Sequence, residues 1–108
     1  MKPPPGDANS VGYEMGYAAD EFGKVLGGAF SGSGSPYDCT AIARHHWSVT
    51  QQNSDLKISI QVREKNPRRL GLFALPVLQV DFEMEKSNPE DQDHFFSRFF
   101  RYFHKGGG

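Results

Sequence analysis

The 108-residue chain has a single cysteine, Cys39, so no intramolecular disulfide can form and packing must hold the fold; this suits a reducing compartment. Nor does it carry an excess of charge of either sign, since 12 Lys and Arg stand against 13 Asp and Glu. Bulk electrostatic attraction to a nucleic acid or an anionic membrane is thereby excluded, and any such contact must come from a local patch. Long hydrophobic runs are lacking too. The longest, Leu70 to Leu78, is broken by Gly71 and Pro76 and falls far short of the ~20 residues that span a bilayer. The opening Met1-Lys2-Pro3-Pro4-Pro5-Gly6 has no apolar core of the kind a signal peptide needs, so a cytoplasmic location is the expectation. No internal repeat and no phosphate-binding glycine loop occurs: the glycines fall at helical spacing or beside serine, not in a strand-to-helix fingerprint. No cofactor is expected.

What is present fits one domain with one core. Residues 1–9 are rich in Pro, Gly and Asp without apolar period, and disorder is expected there. From Ser10, the residues Val11, Met15, Ala18, Phe22, Val25 and Leu26 recur at spacings of three and four, which predicts a first helix. Beside them runs a small-residue stripe of Gly12, Gly16, Ala19, Gly23 and Gly27. Each interior glycine costs a helix about 1 kcal/mol relative to alanine, so this helix must be held by packing, either against the sheet or against a second helix or subunit. Residues 27–35, rich in Gly and Ser, have the composition of a flexible connector.

Ser35-Pro36-Tyr37-Asp38 has the chemistry of a helix start, but alternation of Ala41, Ala43, His45, Trp47 and Val49 favours a strand from about Ile42 to Gln51. Leu56, Ile58, Ile60 and Val62 alternate with polar residues in a second strand, and Leu78, Val80, Phe82 and Met84 do so in a third. Antiparallel pairing with Ile60 opposite Phe82 brings Val62 to Val80, Ser59 to Glu83 and Lys57 to Glu85, matching core and charge together. Residues 66–76 then form either a long apolar connection or, if the third strand starts near Leu72, a ladder with Pro76 at a bulge or edge. Ser87-Asn88-Pro89-Glu90-Asp91 starts a last helix that ends before Gly106-Gly107-Gly108. The expected fold is therefore α+β: an N-terminal helix, an antiparallel sheet of three strands or more, and a C-terminal amphipathic helix on one sheet face. In strand order alone this resembles the α-β-β-β-α arrangement of double-stranded RNA-binding domains. Their last helix begins with basic residues, whereas this one begins Glu90-Asp91-Gln92-Asp93 and repels phosphate.

The last helix carries Phe95, Phe96, Phe99, Phe100 and Phe103 over an arc of about 140° at 100° per residue, opposite His94, Arg98, Arg101 and Lys105. Covering a sheet needs only about 100°, so the margin around Phe100 and Tyr102 is free for a partner or ligand. With Phe96, Phe103, Leu72, Phe73 and Leu75, these residues make an expected apolar contact surface between the last helix and the 70–76 segment. The expected function is a non-catalytic interaction or small apolar-ligand-binding module that self-associates, as a homodimer, or takes a protein or small apolar ligand. Arg63, Lys65, Arg68 and Arg69 concentrate basic charge just before the apolar run, which supplies the alternative: a nucleic-acid or anionic-surface binder, with nucleic acid disfavoured by the acidic helix start.

Catalytic and metal chemistry find little support. His45 and His46 are adjacent, hence on opposite faces of a strand and no natural chelating pair, and Cys39 lies about 20 Å from His45 along an extended chain. Either histidine acting as a general base defines a third reading, a small enzyme drawing on the carboxylates of Asp81, Glu83 and Glu85. Lys57 and Arg63 on the neighbouring strand are ready counter-ions for that acidic row.

Overall fold

The computed structural model describes residues 10–32 and 34–103. Two helices lie on one face of a five-stranded antiparallel sheet. The strands are β1 (Ser10–Met15), β2 (Tyr37–Ala43), β3 (His46–Gln51), β4 (Lys57–Leu70) and β5 (Phe73–Lys86), and the helices are α1 (Ala19–Phe30) and α2 (Pro89–Tyr102). Their order across the sheet is β1-β5-β4-β3-β2, so α1 carries the chain over the helix face from one sheet edge to the other.

The β4–β5 pairing has the register expected from the alternating pattern: Ile60 faces Phe82, Val62 faces Val80 and Ser59 faces Glu83. A bulge after Lys57 sets that residue opposite Lys86 rather than Glu85, yet its ammonium remains 3.7 Å from the Glu85 carboxylate. Of the two alternatives for residues 66–76, the ladder is the one found. β5 begins at Phe73, and the register shifts between Lys65 and Arg68, where Asn66 and Pro67 stand against Pro76. Proline donates no ladder hydrogen bond, so a bulge is where it fits.

Four local expectations are corrected. Residues 10–15 are a strand, not the start of a helix: Val11, Tyr13 and Met15 pair opposite Phe82, Val80 and Leu78, covering a β5 edge that would otherwise be bare. The sheet, expected to have three strands or more, has five, and with a strand ahead of the first helix the topological likeness to double-stranded RNA-binding domains ends. Ser35 caps no helix; its hydroxyl accepts from the Tyr37 amide at 3.1 Å, and β2 begins there. The strand expected from Ile42 to Gln51 is split between β2 and β3 by a tight turn at Arg44 and His45, with His45 at φ 63. Finally, α1 continues through Phe30, so the connector expected from Gly27 begins at Ser31. Its last two residues, Ala29 and Phe30, are fully buried, and Phe30 stacks on Phe95 at 4.7 Å. The expected disorder of residues 1–9, the glycine tail 106–108 and the placements of His104 and Lys105 lie outside the described residues.

The core lies between sheet and helices. α2 sets Phe95 and Phe99 onto Phe82 at 6.0 and 5.0 Å, while α1 sets Phe22 between Trp47 of β3 and Phe103. Phe22 also meets Phe99, and Phe30 meets Phe95, so aromatic rings join the two helices to each other as well as to the sheet. The small-residue stripe resolves into separate causes. Gly12 belongs to β1; within α1 a Cβ at Gly23 would come 3.0 Å from Trp47 Cζ2, whereas Gly27 faces open space.

Candidate functional site

β4 and β5 are each 14 residues long, and only their inner halves build the core. Ile58, Ile60 and Val62 are buried against Leu78, Val80, Phe82 and Met84. Past Val62 every residue of β4 is exposed, as are residues 71–76. The hairpin therefore continues as an arm beyond the core for eight residues of β4 but only five of β5, since Leu78 is still buried, on the order of 17 to 27 Å at the usual strand rise. A two-residue turn closes it: Leu70 pairs with Phe73, and Gly71 takes φ 62 at the first turn position, the geometry that matches the twist of a hairpin.

Along β5, alternate residues share a face. Phe73, Leu75 and Val77 thus continue the sheet face that bears Gln79, Asp81, Glu83 and Glu85, the face turned away from the helices. Across the ladder, Arg68 stands opposite Leu75 and Leu70 opposite Phe73. The expected contact residues Leu72, Phe73 and Leu75 are brought together with Leu70: their exposures are 102, 73, 44 and 54%. Four large apolar side chains at one tip, none buried in the core, form the most conspicuous apolar surface among the described residues.

The base of the arm is clasped. Glu14 of β1 takes Lys65 at 2.6 Å and Arg68 at 3.9 Å. The hydrogen bond and charge of Lys65, with the charge of Arg68 behind them, hold the Glu14 carboxyl below its usual range. A carboxylate with a lowered folded-state pKa keeps its partners at neutral pH and loses them only as pH falls through that lowered value. On the helix side, Glu64 accepts from the Ala19 amide at 3.4 Å. It serves the N-terminus of α1, where Ala18 offers no capping side chain. Two small clefts of about 120 and 200 Å³ flank the base and share Pro76 and Val77. Both fall below the roughly 300 Å³ at which ligand pockets begin.

Of the basic cluster, Lys65 and Arg68 are the members in the Glu14 clasp; Arg63 and Arg69 form no ion pair among the described residues. Arg69 stands opposite Ala74, on the other side of the arm from Arg68.

The aromatic helix contributes less surface. Phe100 and Tyr102 are exposed at its margin, as the width of the arc implies. Phe100 meets Tyr13 edge-on at 5.3 Å, and Arg98 lies over the Tyr102 ring at 5.6 Å. Phe96 is half-buried against Phe82. Phe103 is buried among Tyr17, Phe22 and Phe99 and is unavailable to a partner in the folded state. Beneath α2 the space is filled by rings: Phe95, Phe99 and Phe82 are buried and in mutual contact.

The histidines are not brought to a carboxylate. His45 occupies the β2–β3 turn, where its carbonyl accepts from the Val62 amide at 3.0 Å. His46 Nε2 lies 2.8 Å from the Ser59 hydroxyl. His46 stands opposite Gln61 and Gln61 opposite Asp81, so the carboxylate row is two strands away, about 10 Å at the usual spacing. Cys39 is half-buried on β2, and burial pushes its thiol pKa up, away from a reactive thiolate. Among the described residues no group of three or more His, Cys, Asp or Glu could hold a metal ion, and no helix is long and apolar enough to cross a membrane.

Sequence reasoning missed Glu14, Tyr13 and Glu64. Glu14 and Tyr13 were hidden because β1 carries a helical spacing; its alternation of Val11, Tyr13 and Met15 was the available signal. Nothing local marks Glu64, whose partner lies 45 residues away. No protein-family model matches this chain, and no curated protein matches it.

Proposed function

We propose that this chain is a non-catalytic interaction module whose contact element is the projecting β4–β5 arm, with the exposed margin of α2 as a secondary surface. One observation carries this: Leu70, Leu72, Phe73 and Leu75 are held in water at the end of a hairpin that needs none of them for its core. Exposing four large apolar side chains costs solubility without a folding gain, and such patches mark contact sites. A small apolar ligand under α2 is the weaker form of the idea, because the rings there already pack against one another.

A hydrophobic dye tests the reading. The native protein is expected to enhance its fluorescence, and the fourfold variant Leu70→Ser, Leu72→Ser, Phe73→Ser, Leu75→Ser to lose most of that enhancement while keeping its unfolding midpoint. Unchanged dye binding in the variant refutes the assignment of the arm.

A further inference from the structure

We propose that the partner of the arm is an anionic lipid surface, into which the tip inserts while the arginines behind it engage the headgroups. This rests on the reading of the arm as the contact element and adds the identity of what it contacts. The shape comes first. The tip is convex: a two-residue turn with Leu72 wholly exposed and Leu70 and Phe73 paired beside it. A rigid protein partner would need a matching socket, whereas the interface of a bilayer conforms to whatever enters it.

Charge complementarity selects the kind of surface. From Lys65 to Val80 there is no Asp or Glu, and Lys65, Arg68 and Arg69 all fall in that stretch. At about 3.3 Å per residue, Arg69 and Arg68 lie roughly 3 and 7 Å behind Leu70. Interfacial segments bury their apolar side roughly 5–10 Å into the boundary between headgroups and acyl chains. That depth submerges Leu72, Phe73 and Leu70 and leaves the two guanidinium groups at the level of the phosphates, which their long stems can follow.

Glu14 is the carboxylate nearest the tip: it neutralises Lys65 at 2.6 Å and lies 3.9 Å from Arg68, so the local attraction comes from Arg69, which forms no ion pair among the described residues, and from what Arg68 retains while exposed. The other acidic residues lie farther back. Asp81, Glu83 and Glu85 are 8 to 12 residues along β5 from Phe73, about 26 to 40 Å, and α2 with Glu90 and Asp91 begins beyond the far end of that strand. Charges so distant are screened, because the Debye length at physiological salt is about 8 Å. The near-neutral total is therefore compatible with a local attraction that composition alone excludes in bulk.

Cosedimentation of the full chain with vesicles tests the proposal, comparing phosphatidylcholine containing phosphatidylserine with phosphatidylcholine alone. Binding is expected on the anionic vesicles, at least tenfold weaker on the neutral ones, and weaker at high salt. Arg68→Glu with Arg69→Glu should weaken it about 30-fold or more, from roughly fivefold per basic residue at a membrane surface. Leu72→Ser with Phe73→Ser should abolish it, and circular dichroism melting of both double variants checks that they remain folded. Equal binding to neutral vesicles, or binding that survives loss of the tip residues, overturns the proposal. No vesicle binding, together with dimers in sedimentation equilibrium that Leu72→Ser and Phe73→Ser dissociate, also overturns it: the arm is then the contact element but its partner is a second copy. If neither vesicles, nor self-association, nor dye responds to the tip residues, the reading of the arm falls with it.

Discussion

Single glycines separate two effects in α1 that a stripe of small residues runs together. Gly27 faces open space, while Gly23 sits against Trp47 with 3.0 Å available for a Cβ. Alanine at either position removes about 1 kcal/mol of helix penalty. At Gly27 nothing opposes that gain, so Gly27→Ala should raise the thermal midpoint by roughly 4–8 °C for a domain of this size. At Gly23 the indole must give way by a few tenths of an ångström, so Gly23→Ala should gain clearly less or lose. Thermal unfolding of the two variants side by side decides it, and equal gains would mean that Trp47 does not constrain α1. His45 shows the complementary case: a non-glycine residue in the left-handed region, kept there by a two-residue turn and a backbone bond to Val62.

Among the elements, α2 and the β4–β5 hairpin obey different rules. α2 is specified at its start, where Asn88 accepts from the Asp91 amide at 2.8 Å, Pro89 comes next, and Ser54 donates to the Asp91 carboxylate at 2.7 Å from another loop. Asn88→Ala should lower stability by about 1 kcal/mol, the usual worth of such a cap, whereas Asn88→Asp should retain it; denaturant midpoints at constant slope measure both. The hairpin is specified by its inner half alone. Alternating apolar residues fix the register from Ile58 to Val62, and the outer half pairs in a register shifted by one residue at the bulge of Asn66 and Pro67. Apolar alternation in a strand reports burial only where something covers the strand, and nothing among the described residues covers the tip.

For the molecule as a whole, stability rests on the rings that join three layers of contact: α1 to α2, α2 to β5, and α1 to β3. Phe95 touches Phe30, Tyr37, Phe82 and Phe99 and is fully buried. Phe95→Ala should cost about 3–5 kcal/mol, a large share of the roughly 5–15 kcal/mol that holds a domain of ordinary stability. Phe100→Ala, at the exposed margin of the same helix, should cost under about 1 kcal/mol. Chemical denaturation resolves a difference of this size, and comparable losses at both sites would show that α2 is rotated from the orientation described.

By itself the sequence determined the two helices in outline, the register of the inner halves of β4 and β5, the start of α2 and the exposure of Phe100 and Tyr102 at its margin, though not the burial of Phe103. Each of these comes from a local period or a local cap, which a chain carries whatever its surroundings. The tertiary structure decided the rest. β1 has both a helical and a strand spacing, and the open edge of β5 chose between them. Ser35 and Pro36 have helix-start chemistry, and burial of Tyr37 against Phe30 and Phe95 drew Tyr37–Ala43 into the sheet as a strand. Leu70, Leu72, Phe73 and Leu75 read as apolar in any context; only the length of the hairpin beyond the core put them in solvent beside Arg68 and Arg69. The site is legible as residues in the sequence but as a surface only in the fold, because exposure is a property of what the rest of the chain leaves uncovered.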